Sequence, residues 1–141
     1  NDLPMNGTTT AASEIHAPAN DVPMVIGSTA SAIGCLALTG TAIIQGYVEG
    51  EIRADIVLIA TGGTVVGTVV AAEVIVEGEA IDALIFGDRI VLRDGSHVTG
   101  EIWHKELVLE AGHMFEGKSR RHDAPRSLAP AEPLHLDDDF E

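Results

Sequence analysis

The hydrophobic and polar positions of the chain alternate in short runs that recur about every 17 residues. Each run alternates aliphatic and polar side chains for only a few residues and then meets Gly, Asp or Ser. Alternation with a period of two is typical of a β-strand with one buried face, whereas a helix would place its apolar residues three or four apart. The pattern therefore predicts a protein built from many short strands.

These runs are organised around one repeated position, the centre of motifs such as VEGEI (48–52) and VTGEI (98–102). The central residues are separated by 15 to 18 positions, and they are Gly34, Gly50, Gly67, Asp82, Gly100 and Gly117. An apolar triplet begins seven or eight residues after the first five of them. One coil of a solenoid cannot bury its own inner face, so at least three must stack. The repeat predicts an all-β protein, a right-handed parallel β-helix of five to six coils.

Two other β-folds also contain short alternating strands. A β-sandwich has them at regular spacing, but it does not require the same residue types every 17 positions. A left-handed β-helix usually shows a strict six-residue period, which only residues 34–46 approach. The drift of the interval between 15 and 18 favours the looser, right-handed kind.

The predicted β-helix occupies residues 31–119, between two segments without the repeat. Residues 1–30 are rich in Thr, Ala, Asn and Pro, and residues 120–141 contain prolines and end in DDDFE. We expect both to be disordered tails, because they cannot bury enough apolar surface to offset the entropy of ordering. Both are expected to leave the coil sideways, since a tail along the axis would block stacking.

An uncharged stretch within residues 22–48 is long enough to cross a membrane as a helix. It is diluted by Gly, Ser, Thr and Gln, and neither flank is basic, so the signal that orients a membrane span is missing. The repeat explains the same residues, and we interpret them as the first coils.

Acidic residues dominate the charge of the chain. It contains 22 Asp and Glu against 8 Lys and Arg, a formal charge of −14. A surface this acidic repels phosphate backbones, so the body of the protein is not expected to bind nucleic acid. Cys35 is the only cysteine, which excludes an internal disulfide and fits a reducing compartment.

The sequence contains no complete catalytic, cofactor-binding or metal-binding motif. GGTVVGT (62–68) has the glycine spacing of a phosphate-binding loop, but Thr68 stands where the lysine is needed. His97 and His113 are predicted at neighbouring corners, whereas zinc needs three or four converging ligands. Asp82 is interpreted as a turn residue rather than a catalytic base. We expect no enzyme activity, no cofactor and no metal.

Residues 31–117 resemble the bactofilins, a family of bacterial polymer-forming cytoskeletal proteins. The matching stretches are IIQGYVEGEI (43–52), GGTVVGTV (62–69), VIVEGEAIDALI (74–85), VLRDGSHVTGEI (91–102) and LVLEAGHMFEG (107–117). Ala80 and Asp82 depart from the Val and Gly of their columns, so we expect a local distortion between the third and fourth coils. The membrane-binding peptide that many members carry at the N-terminus is not evident.

The resemblance implies a fold and a function. The fold is a right-handed β-helix with disordered tails, and the function is nucleotide-independent, end-to-end assembly into non-polar filaments. Such a filament organises cell-shape or cell-wall machinery in the cytoplasm, often at the inner membrane. The implied partners are other copies of the chain and, through the tails, cell-wall enzymes or other membrane proteins.

The ends of the coil carry the residues expected to mediate polymerisation. Terminal coils leave backbone groups unpaired along an open edge, and soluble repeat proteins normally cover such ends with polar caps. Here both ends are apolar: the predicted interface residues are Ile33, Leu36 and Leu38 at one end and Leu107, Leu109, Met114 and Phe115 at the other. The predicted structural glycines are Gly34, Gly50, Gly67, Gly100 and Gly117.

The free energies of hydrogen bonding, association and apolar burial indicate what would drive this stacking. About ten ladder hydrogen bonds at ~1 kcal/mol net only offset an association cost of about 4–15 kcal/mol. Burial of Phe115 adds about 1.5–3 kcal/mol, so the apolar end residues are expected to decide whether the coils stack.

Two other functions stay open: a β-helical enzyme such as a hexapeptide-type acyltransferase or a metal-dependent hydratase, and a monomeric binding module whose tails cap the ends. The polarity of the filament is not decided by these residues.

Overall fold

The computed structural model describes residues 22–129, and most of them lie in one stack of parallel strands. The strands are β1 (Met24–Ile26), β2 (Ser31–Ala37), β3 (Thr41–Ile44), β4 (Tyr47–Arg53), β5 (Ile56–Ile59), β6 (Thr64–Val76), β7 (Glu79–Leu92), β8 (His97–Leu109) and β9 (Met114–Arg121). A short 3-10 helix, Pro125–Leu128, follows them. No helix among residues 22–129 is long and apolar enough to cross a membrane.

Successive coils pair with each other in parallel, in two series of strands. One series stacks β1, β3, β5 and the second halves of β6, β7 and β8. The other stacks β2, β4, the first halves of β6, β7 and β8, and finally β9. The predicted all-β solenoid of about six coils is therefore confirmed, with a repeat of about 17 residues.

The core is a set of aliphatic columns that run along the axis of the coil. One column holds Val48, Val65, Ala80 and Val98, and each of them pairs with the next along the stack. All four side chains are fully buried. Branched side chains suit this position because they pack well between pleated layers.

The strand ladder extends beyond both boundaries expected from the repeat. At the N-terminal end β1 pairs with β3 through Met24–Ile26, which lie before residue 31. At the C-terminal end β9 continues to Arg121, past residue 119. Alternating residues continue the ladder wherever a neighbouring strand is available, even without a central glycine. Disorder was expected for residues 1–30 and 120–141, but residues 22–30 include β1, and residues 120–129 include the end of β9 and the 3-10 helix. Residues 1–21 and 130–141 lie outside the part that the structure describes.

The expected distortion between the third and fourth coils is a β-bulge in β7. Ala80 pairs with Val65 and Val98, and pairing resumes with Ala83 opposite Gly100, so β7 carries one extra residue. Asp82 has φ 49°, and its N–H donates to Thr99 Oγ1 at 2.8 Å. Ala83, rather than Asp82, therefore occupies the glycine column. Asp82 lies in this bulge within β7 rather than in the turn expected from the sequence, and aspartate suits the position because it tolerates the left-handed region better than most residues.

After β9 the chain turns back along the side of the coil, and we call residues 122–129 the C-terminal strap. His122 N–H donates to the carbonyl of His104 at 2.9 Å, and Arg126 pairs with Asp88 at 2.8 Å. Pro125 is buried, and the 3-10 helix contacts β6, β7 and β8. The strap therefore leaves the coil laterally, as expected for a chain that keeps its end open.

Candidate assembly interface at the ends of the coil

At the C-terminal end the last coil is only partly covered. β9 lies over the first half of β8, from His97 to His104, and no described strand lies over residues 106–109. Leu109 pairs with Leu92, which is 0% exposed, yet Leu109 itself is 49% exposed. The two leucines occupy the same column. Leu92 has a neighbouring coil on each side, whereas Leu109 has a described coil on one side only. Leu107, above the fully buried Ile90, is half-buried for the same reason.

Phe115 closes the column of small aliphatic residues on β9. It pairs with Val98 and packs against the core, but it stays half-buried because β9 is an outer strand. A phenyl ring in a column of Val and Ala fills more of the layer than its neighbours do. It both covers the core of the monomer and presents apolar surface at the end of the coil.

The N-terminal end is formed by β1 and β2, each with a coil on one side only. Leu36 lies over Ile52, and Leu38 continues at the next corner, where its N–H donates to the carbonyl of Arg53 at 2.9 Å. Both leucines are half-buried and pack against the core. This end is therefore also an inward-facing apolar layer without a cap among residues 22–129.

Two of the predicted interface residues face sideways instead. Ile33 is 79% exposed and pairs with Glu49, whose column lies on the outer surface. Met114 is exposed and pairs with His97. Alternation is the reason: their neighbours Ala32 and Phe115 point into the core, so these two side chains point away from it. They belong to the lateral surface of the terminal coils.

The sequence reading missed three inward residues of the N-terminal end: Met24, Ile26 and Ala32. Met24 and Ile26 lie over Ala42 and Ile44, and Ala32 lies over Val48. A signal was present, because Met24–Ile26 is an apolar triplet about one repeat before the triplet Ala42–Ile44. The repeat does not mark it, because no central glycine precedes it.

The glycine column shows how tightly the coils approach and where that approach ends. A Cβ added at Gly50, Gly67 or Gly117 would collide with the backbone carbonyl of the glycine beneath it, and one at Gly100 would collide with that of Ala83. A Cβ added at Gly34 would meet nothing within 4 Å. In this column the added atom points towards the preceding coil. At Gly34 it would therefore stand on the open N-terminal face.

The two ends differ in charge. β1 and β2 contain no charged residue. β9 contains Glu116 together with Lys118, Arg120 and Arg121. The N-terminal end would therefore meet another copy without charge repulsion, while at the C-terminal end the cations of β9 lie beside Glu106 and Glu110 of the preceding coil.

The Cys35 thiol lies on β2, half-buried at the N-terminal end. Burial raises its pKa above the ordinary value, and the nearby Glu51 carboxylate raises it further, although the Arg53 guanidinium acts in the opposite direction. A raised pKa keeps the thiol protonated and unreactive. The residue behaves as a small apolar side chain at this end.

His104 provides a pH dependence within the last full coil. Burial lowers the pKa of its imidazole, and the positive charge of Arg121 lowers it further. Its Nδ1 is buried and has no hydrogen-bond partner among residues 22–129. Because the unfolded chain then binds a proton more readily than the folded one, acid favours unfolding through this group.

We therefore expect His104→Gln to weaken the acid sensitivity of the fold. Between about pH 7 and pH 5 the wild-type melting temperature should fall as the pH drops below the unfolded pKa of about 6.5, and the variant should lose less over the same range. Thermal denaturation by circular dichroism at several pH values measures both slopes. Equal slopes in the two proteins would contradict the assignment.

The geometry of stacked coils agrees with the comparison to known proteins. A sequence profile of the bactofilins, described as polymer-forming cytoskeletal proteins, matches residues 24–120. The chain belongs to the bactofilin family. The match starts at Met24, the first residue of β1, and ends within β9, so the family region coincides with the strand ladder.

A solved structure of another bactofilin has the same fold. The cytoskeletal bactofilin BacA, determined by solid-state NMR, superimposes with a TM-score of 0.67 at 28% sequence identity. The alignment covers 72% of this chain and 98% of BacA. A search of curated protein sequences gives no match. This bactofilin is thus a polymer-forming cytoskeletal protein.

Proposed function

We propose that this bactofilin forms filaments by end-to-end stacking of its coils and acts as a scaffold rather than as an enzyme. One observation carries the proposal: the core columns are covered at every inner coil, and at both ends none of residues 22–129 covers them. Leu92 is fully buried and Leu109, in the same column, is half exposed. A second copy would give the terminal coil the environment that each inner coil already has.

The shape of the C-terminal end supports this mode of contact. Because β9 covers only half of β8, the end has a step one strand high above residues 106–109. A terminal strand of another copy can fill this step, pair with residues 106–109 along the edge that no described strand occupies and cover Leu107 and Leu109. Backbone pairing sets the register, and burial of the apolar side chains supplies the net free energy.

The course of the C-terminal strap argues against a capped monomer. Residues 122–129 continue beside β7 and β8, where Arg126 binds Asp88, and they leave residues 106–109 uncovered. A cap would instead lie across the end of the stack. The described part of the C-terminal segment therefore favours polymerisation.

The cellular role that we propose follows from the family. The filament would organise cell-shape or cell-wall machinery in the cytoplasm at the inner membrane, and the segments outside the coil would contact membrane proteins or cell-wall enzymes. Assembly would need no nucleotide, because stacking buries apolar surface without a chemical step.

Sedimentation of purified protein without nucleotide tests the assembly. We expect a concentration-dependent pellet and, by negative-stain electron microscopy, filaments one coil wide. A chain lacking residues 1–21 and 130–141 should still form ordered filaments. Single compact particles throughout a dilution series, or amorphous aggregation on removal of the two segments, would favour the capped monomer instead.

A further inference from the structure

One lateral face of the coil carries an uninterrupted apolar column. Its residues alternate with inward-facing residues and pair one above another through the whole stack: Val25, Ile43, Leu58, Ile75, Val91 and Val108. With coils about 4.8 Å apart, the column is about 24 Å long. Val25 is 48% exposed, most of the others are half-buried and Val91 is buried.

Outward columns of the other strand series are interrupted by charged residues, including the column of Val70, Phe86 and Trp103, which also holds Arg53 and Arg120. The column that contains Val66 also contains Ile33, Glu49 and Ile81, so Glu49 interrupts its aliphatic residues. The column that contains Leu84 also contains Glu51 and Glu101. Exposed aliphatic residues scattered singly are normal in proteins, whereas an unbroken row marks a contact surface.

Two charged ladders flank the apolar column in the third to fifth coils. In the first, Arg89 pairs with Glu73 at 2.7 Å and lies 3.7 Å from Glu106. In the second, Arg93 lies 3.2 Å from Glu110 and 3.8 Å from Glu77. In the first two coils the same flanking positions are uncharged: Thr41, Gln45, Ile56 and Ala60.

We propose that this face is a lateral interface between filaments, so that its partner is a second copy of the same chain. The proposal rests on the end-to-end assembly proposed above. Because the column runs parallel to the axis, stacking joins the columns of successive molecules into one continuous stripe. Two filaments can then meet stripe to stripe.

The arginines of one copy face glutamates of the other when the two copies are offset by one coil. Without an offset, a facing copy would place arginine against arginine. A shift of one coil, about 4.8 Å, places Arg89 and Arg93 of one copy opposite glutamates of the other. A membrane fits less well, because the two ladders contain four glutamates and two arginines and anionic lipid would repel them.

The size of the face explains why the contact requires filaments. A stripe about 24 Å long and about 13 Å wide is on the order of 300 Å² per molecule, well below the roughly 800 Å² per partner of a stable interface. Single molecules should not pair through it. Along a filament the same weak contact is repeated many times, and its effect multiplies.

The test compares Ile75→Glu with the matched control Val66→Glu. Both residues are half-buried outward positions of β6, and the change is the same, but Val66 lies in a column that already contains glutamate. Low-speed centrifugation collects associated filaments and high-speed centrifugation collects all filaments. We expect Ile75→Glu to lower the low-speed pellet at least about tenfold without changing the high-speed pellet, and Val66→Glu to change neither.

A second variant covers the case in which Ile75→Glu disturbs the fold. Arg89→Gln combined with Arg93→Gln, at exposed side chains, removes the cations that the offset pairing needs, and it should lower the low-speed pellet likewise. Association unchanged in both variants, or wild-type filaments that stay single at every concentration, would overturn the lateral proposal alone. Binding of wild-type protein to neutral phosphatidylcholine vesicles that Ile75→Glu loses would assign the face to lipid and overturn it too. If no protein appeared in the high-speed pellet, both the end-to-end proposal and the lateral proposal would be refuted.

Discussion

Phe115→Arg is expected to abolish filaments and to leave a folded monomer. The phenyl ring lies at the open C-terminal end, half-buried over Val98. Arginine there would place a desolvated charge between two stacked copies, at a cost of several kcal/mol, which exceeds the small surplus expected for association. In the monomer the same side chain can reach water, because no strand of the described residues lies above it. Negative-stain microscopy and circular dichroism report the two expected results.

Leu109→Arg separates the role of the interface from that of the core. Leu109 is half exposed in the monomer, so its replacement should cost less stability than that of Phe115 and should block stacking equally. Leu84→Arg is the matched control, because Leu84 is also exposed but lies on the side of an inner coil. Intact filaments in both end variants, or their loss in Leu84→Arg, would refute end-to-end stacking through this surface.

Gly100→Ala is expected to destabilise the monomer and Gly34→Ala to block stacking, although both residues occupy the same column. At Gly100, φ is 127° and the added methyl group would collide with the backbone of Ala83. We expect a loss of about 3 kcal/mol or more in the free energy of unfolding, a fall of more than about 10 °C in the melting temperature. At Gly34 the methyl group meets open space, so only the backbone strain remains in the monomer.

Gly34→Ala should nevertheless prevent stacking at the N-terminal end, because its methyl group occupies the position where another coil would lie. Gly95→Ala controls for backbone strain, since Gly95 has a positive φ and open space but lies in a lateral turn. We expect Gly95→Ala to form filaments of normal length and Gly34→Ala to give at most short assemblies. Thermal denaturation measures the stability of the variants, and electron microscopy measures the length of their filaments. Normal filaments in Gly34→Ala would show that the N-terminal end does not stack through this column.

The repeat of the sequence predicted most of the fold, because stacking imposes the same demand on every coil. The column of Val48, Val65 and Val98 was visible in the sequence for this reason. The extra residue at Asp82 was placed one position wrong, since spacing alone does not show which of two residues forms a bulge. Ala83 reveals itself only through its pairing with Gly100.

The candidate interface was predicted less completely than the fold. Leu36, Leu107, Leu109 and Phe115 lie at inward end positions, whereas Ile33 and Met114 lie on the side. Apolar character does not distinguish these two directions, but alternation from Phe115 or Leu36 does. The C-terminal strap had no repeat to reveal it, because its contact between Arg126 and Asp88 joins residues far apart in the chain.

The stack also determines where the molecule begins to melt. Each coil pairs only with the coils before and after it, so the two outermost coils have half the support of the others. Fraying should therefore start there and move inward. A filament removes most of these frayed ends, so that in a crowded assembly each molecule resists heat better than it does alone.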